Sequence, residues 1–184
     1  MTPMTMIDVA LECIRRGWYV FPCWPETKKP MTAHGWKDAS VSEEQVRAWW
    51  TKMPNANVAI ACNQSNLCVV DVDYGLAASE DAEMWAADAG IPLTYAVRTG
   101  RRPGFGIQLY YSGAIPDVGL WEYRGCSGQV KSLGGYVMAA GCVHPDSKAR
   151  YEVLWDPEIQ PTPTAVQALQ TRTKQVSTEP GKKI

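Results

Sequence analysis

The sequence has no run of about 18 apolar residues, so no membrane-spanning helix is expected. It shows no secretory leader: MTPMTMIDVALECIRRG lacks a basic start, and Asp8, Glu12, Arg15 and Arg16 interrupt its apolar residues. No C-x-x-C pair occurs among Cys13, Cys23, Cys62, Cys68, Cys126 and Cys142. Cys126, Cys142 and His144 are too scattered to read as a closed four-ligand zinc site. The cysteines are therefore expected as small buried hydrophobes, reduced in a cytoplasmic setting. No G-x-x-x-x-G-K-[ST] segment occurs, which excludes a P-loop ATPase. No internal repeat is visible. Strong net charge is also missing: at -1, any surface for a polyanion must be concentrated locally.

What is present is 184 residues, 46% apolar and 20% charged, enough for one domain with a real core. Ile7, Ala10, Leu11 and Ile14 recur at helical spacing and predict a first helix ended by Gly17. WYVFPCW reads as a strand entering a turn-rich loop. Ser42-Glu43-Glu44-Gln45 has capping-box form ahead of a helix carrying Val46, Trp49, Trp50 and Met53, stopped by Pro54. NVAIAC and LCVVDVD are strands, and Leu76–Ala89 reads as a third helix closed by Gly90 and Pro92. TYAVRT, GIQLYY, GQVKS, GYVMAA and YEVLW then follow as short strands with glycine punctuation. This pattern predicts a mixed α/β (α+β) fold around one sheet. Residues 1–158 read as the domain and 159–184 as a polar linker or tail, apart from a short helix near Ala165–Leu169.

Three segments carry chemistry. In LCVVDVDYG an apolar strand ends in Asp71-Val72-Asp73, and residues i and i+2 of a strand share a face. Two carboxylates there repel each other unless a cation or basic group intervenes. On spacing alone the pair reads either as ligands of a hard divalent cation or as a solvated strand end. Arg98-Thr99-Gly100-Arg101-Arg102-Pro103-Gly104-Phe105-Gly106 joins two strands. It reads either as a cationic loop for phosphate or nucleic-acid backbone or as a solvated hairpin. In the run from Gln129 to Pro145, Gly134-Gly135 is a tight turn. Lys131 with Ser132 beside it, and His144, are candidate phosphate groups there, or else an edge lysine and an idle loop histidine.

Taken in order, further pieces resemble the bifunctional DNA primase/polymerase N-terminal (prim-pol) family of the archaeo-eukaryotic primase superfamily. They are Gly17-Trp18-Tyr19-Val20-Phe21-Pro22, Lys28-Lys29-Pro30, His34-Gly35-Trp36-Lys37-Asp38-Ala39, Val46 to Trp50 and Pro54 to Ile60. Val69 to Asp73, Ile91-Pro92-Leu93-Thr94, Thr99-Gly100, Leu109-Tyr110-Tyr111, Gly134 to Val137 and Cys142-Val143-His144-Pro145 complete the set. The resemblance runs to about Trp155. It implies an N-terminal α/β module packed on an RRM-like mixed sheet, with the active site in the cleft between them. It also implies template-directed nucleotidyl transfer with DNA and nucleoside triphosphates, in replication proteins of plasmids, phages and other mobile elements. Asp71 and Asp73 become the catalytic, metal-holding acids for Mg²⁺ or Mn²⁺. Arg98, Thr99, Arg101, Arg102, Gln108, Lys131, Ser132 and His144 become nucleotide- or phosphate-binding residues. Such domains are often followed by a helicase domain.

Two positions depart from the family pattern. Where it has a histidine before an L-Y-F-type strand, this chain has Gln108, which hydrogen-bonds phosphate but carries no charge. Where it has an aspartate before the Gly-Gly turn, this chain has Gln129, a poorer Mg²⁺ ligand. Asp117, Glu122 and Asp146 are the acids that remain to supply a third oxygen. The alternative to an active enzyme is a catalytically weakened binding module of the same fold.

Overall fold

A computed structural model describes residues 4–169. The chain begins with α1 (Met6–Arg15), whose N-cap Thr5 exchanges hydrogen bonds with Asp8 in a capping box. The helix buries Met6, Val9, Ala10, Leu11 and Cys13. β1 (Val20–Cys23) follows, then a 3₁₀ turn (Gly35–Asp38) and α2 (Glu43–Lys52), capped by the Ser42 side chain on the Gln45 N–H. β2 (Asn57–Ala61), β3 (Leu67–Leu76), α3 (Ser79–Ala89), β4 (Ala96–Arg98) and β5 (Phe105–Ser112) come next. β6 (Val118–Tyr123), β7 (Cys126–Lys131), β8 (Tyr136–Met138), β9 (Glu152–Trp155) and β10 (Gln160–Pro161) complete the strands.

Two sheets result. The small one has the order β1-β2-β8, antiparallel throughout. The large one has the order β6-β7-β3-β5-β4-β9, with β10 joining β5 in parallel where β4 has ended. Side chains alternate across β3: Val69 faces one core, with α1 and the small sheet, and Val70 and Val72 face the other, with α3. The large sheet is thus covered on both faces. The result is a mixed α/β fold of the prim-pol kind, an N-terminal module set on a mainly antiparallel sheet.

Three differences from the sequence reading have local causes. The third helix starts at Ser79 rather than Leu76, because β3 continues to Leu76 through a bulge at Gly75, whose φ is +98°. β6 escaped detection because its register shifts between Val118 and Trp121, which breaks the period of two. The fold also continues past Glu158. β10 pairs with β5, Thr162 Oγ1 donates to the Ser112 and Gly113 carbonyls at 3.0 and 2.6 Å, and the helix at 164–169 buries Val166 and Leu169. The remainder of the segment read as a tail lies outside the described residues. All six cysteines are free and buried, as small hydrophobes.

Candidate active site

β3 lies between β5 and β7, and Asp71 is paired in register with Gln108 on one side and Gln129 on the other. The two positions that depart from the family pattern are therefore the two cross-strand neighbours of the first acid. β7 comes this close because residue 128 is glycine: a Cβ there would lie 1.8 Å from the Asp71 carbonyl oxygen. Beyond Val72 both ladders slip. Asp71 and Asp73 nonetheless line one cavity of about 430 Å³ between the large sheet and the N-terminal module. Lys28, Arg101 and Lys131 line it too.

The electrostatics of this cavity are strained in one place. Asp71 Oδ1 is fully enclosed and has no hydrogen-bond partner. Burial first, and the Asp73 charge second, push the Asp71 carboxyl up to about 7, while Lys28, Lys131 and a hydrogen bond from Gln108 act in the opposite direction. Asp73 meets the Arg101 guanidinium at 3.4 Å, and that guanidinium also lies 4.2 Å above the Tyr74 ring. Of the acids considered as substitutes for the missing carboxylate, Asp117 alone lines the cavity. Its Oδ1 already accepts from the Ser132 and Gly134 N–H groups at 2.7 and 3.1 Å, bracing the Gly134-Gly135 turn.

The structure brings Asp71, Asp73, Arg101, Gln108, Gln129 and Lys131 together, and it places the other candidates elsewhere. Ser132 is wholly buried, with its hydroxyl donating to the Leu67 carbonyl and accepting from the Ile115 N–H, both at 2.9 Å. It fastens the sheet and does not line the cavity. Thr99 is buried under Gly106, its Oγ1 accepting from the Arg101 N–H at 3.4 Å. Arg98 stacks on the Phe105 ring at 5.0 Å. Arg102 turns back on its own loop, donating to the Thr99 and Arg101 carbonyls at 3.4 and 2.6 Å. His144 does not line the cavity; its ring lies 5.9 Å from that of the lining Tyr151, and its Nδ1 accepts from the Asp146 and Ser147 N–H groups at 3.3 and 3.5 Å. Burial, followed by the Lys28 charge, lowers its pKa.

Sequence reasoning assigned no role to Lys28, Tyr136 or Tyr151, all of which line the cavity. Lys28 arrives there through remote contacts. Asn57 Nδ2 donates to the Thr27 carbonyl at 3.0 Å and to the Val143 carbonyl at 2.9 Å, and the Tyr136 hydroxyl donates to the Lys28 carbonyl at 2.9 Å. No local pattern announces such contacts.

Among the described residues, no three His, Cys, Asp or Glu side chains form a metal-holding group. An all-protein cage is therefore not what this cavity offers. Two carboxylates in one cavity, one with an orphaned oxygen, do fit a hard divalent cation that draws its remaining ligands from substrate phosphates and water. No helix among the described residues is long and apolar enough to cross a membrane.

Compared with curated proteins, the chain has no match. The family model described as bifunctional DNA primase/polymerase, N-terminal, matches residues 10–165, nearly the whole of the described fold including the strand that carries both acids. The chain belongs to the bifunctional DNA primase/polymerase N-terminal (Prim-Pol) family.

Proposed function

We propose that this domain catalyses metal-dependent, template-directed nucleotidyl transfer in DNA replication or priming, with Asp71 and Asp73 as its acidic pair. At family level, a Prim-Pol domain implies primase/polymerase-type nucleotidyl transfer, with DNA and nucleotides as ligands. The observation that carries the finer reading is the shared cavity: two carboxylates, one with an unpartnered oxygen, face Lys28, Lys131 and Arg101. Asp71 and Asp73 would hold Mg²⁺ or Mn²⁺, whose charge would offset the repulsion between them and stabilise negative charge on a substrate phosphate. Lys28 and Lys131 supply point charges for a triphosphate, and Gln108 supplies neutral N–H donors. Arg101, held on Asp73 by one ion pair, is placed to exchange that carboxylate for a phosphate. In the reaction a primer or initiating-nucleotide hydroxyl oxygen bonds the α-phosphorus and pyrophosphate leaves. A cytoplasmic setting and a helicase module following this segment belong to the same reading.

A second reading has its own observation. Both cross-strand neighbours of Asp71 are neutral amides, so neither adds a carboxylate or a positive charge directly across from it. That composition suits a module that binds DNA or nucleotide without rapid turnover. Primer extension and de novo synthesis with Mg²⁺ or Mn²⁺ separate the two, with Asp71→Ala/Asp73→Ala as control. Product that disappears in the double variant supports the enzyme. Binding without product at either metal supports the module, and neither binding nor product from folded protein overturns both.

A further inference from the structure

Tyr110 is wholly buried and pinned at nearly every point. Its N–H donates to the Tyr95 carbonyl at 3.0 Å, and its carbonyl accepts from Thr94 Oγ1 at 2.6 Å. Its ring stacks on Trp18, with centroids 5.6 Å apart and planes at 25°. Tyr95 meets the same ring edge-on at 5.1 Å. The phenolic hydroxyl is what remains. A buried tyrosine, unlike a phenylalanine, brings a polar group that is costly to leave unpaired. Its acceptor is Gln108 Oε1, at 3.4 Å.

Gln108 is itself buried and stands opposite Asp71 across β3 and β5. A glutamine amide has a donor end and an acceptor end of nearly identical shape, so its neighbours decide which way round it sits. Here Oε1 lies at the Tyr110 hydroxyl, 3.4 Å away, which leaves the N–H end for Asp71, the cross-strand neighbour, and for the cavity that Gln108 lines. Reversed, the amide would set its carbonyl oxygen against a carboxylate. The amide nitrogen carries two hydrogens, one for Asp71 and one for whatever else enters the cavity.

We infer that Tyr110 is a positioning residue: its clamped hydroxyl fixes the Gln108 amide with the N–H end toward Asp71 and the cavity, where it meets a nucleotide phosphate. This inference rests on the nucleotide-binding reading of the cavity. It extends the site one layer behind its lining, into the aromatic cluster of Trp18, Tyr95 and Tyr110.

Tyr110→Phe keeps the ring in its slot and removes the hydroxyl alone. In ¹⁵N-labelled wild-type protein, the Gln108 side-chain amide is expected as a dispersed, slowly exchanging pair of proton signals. In Tyr110→Phe that pair should shift toward free-amide positions and exchange faster. With Mg²⁺ and a nucleoside triphosphate, calorimetry should show Kd raised about fivefold, the loss of one ordinary hydrogen bond. In a Gln108→Ala background the same substitution should change Kd less than about twofold, because its route to the ligand is gone. A solvent-averaged Gln108 amide in the wild type overturns the inference, and so does full additivity of the two substitutions. If the wild type binds no nucleotide, the proposed function fails, while the amide signals still decide the role of Tyr110.

Discussion

Asp71 is the residue where the fold works against itself. Its carboxyl, ordinarily titrating at 3.8, is pushed to about 7 by burial and by the neighbouring Asp73 charge. The folded protein therefore holds that proton to higher pH than the unfolded chain does. Folding is unhindered below about pH 4, and a penalty builds as pH rises toward 7. Asp71→Asn removes the ionisation and keeps the shape. We expect it to raise stability at pH 8 by about 2 kcal/mol and to have little effect at pH 4. Urea unfolding at both values measures this, and an equal effect at the two values contradicts it. A divalent cation held as proposed would relieve this penalty, because it favours the ionised carboxylate.

Elements show how much was legible beforehand and why. The LCVVDVD strand was readable because an apolar run ending in alternate acids is a local signal. That Gln108 and Gln129 flank Asp71 was not, because register depends on bulges and on the close approach of Gly128. The placement of Ser132 and His144 is not legible locally, because their burial and stacking are settled by Leu67, Ile115 and Tyr151, joined to them only by the fold. The polar composition of the C-terminal segment reads as linker, yet two apolar residues, Val166 three places before the end of the described chain and Leu169 at its end, are enough to seat it. Val166 and Leu169 bury fully, each contributing about 1.5–3 kcal/mol. A chain ending at Glu158 should therefore be less stable than one ending at Leu169 by about 3–5 kcal/mol, lowering its denaturant midpoint. Equal midpoints would show that the segment adds nothing to the fold.

At the scale of the molecule, a nearly neutral chain gathers three basic side chains around one polar cavity, so its average charge says little about what it binds. The large sheet is the common wall of both cores: α1 and the small sheet close one face, and α3 with the 164–169 helix closes the other. β3 is internal to that sheet, with β5 and β7 beside it and β6 and β9 at the margins. Amide hydrogen exchange should accordingly be slowest at Val69 to Val72 and markedly faster in β6 and β9. Comparable rates across the sheet would contradict this. Asp71 thus rides on one of the innermost rungs, with Asp73 just past it where both ladders slip: breathing at the margins starts several strands' width away from the first acid and reaches it last.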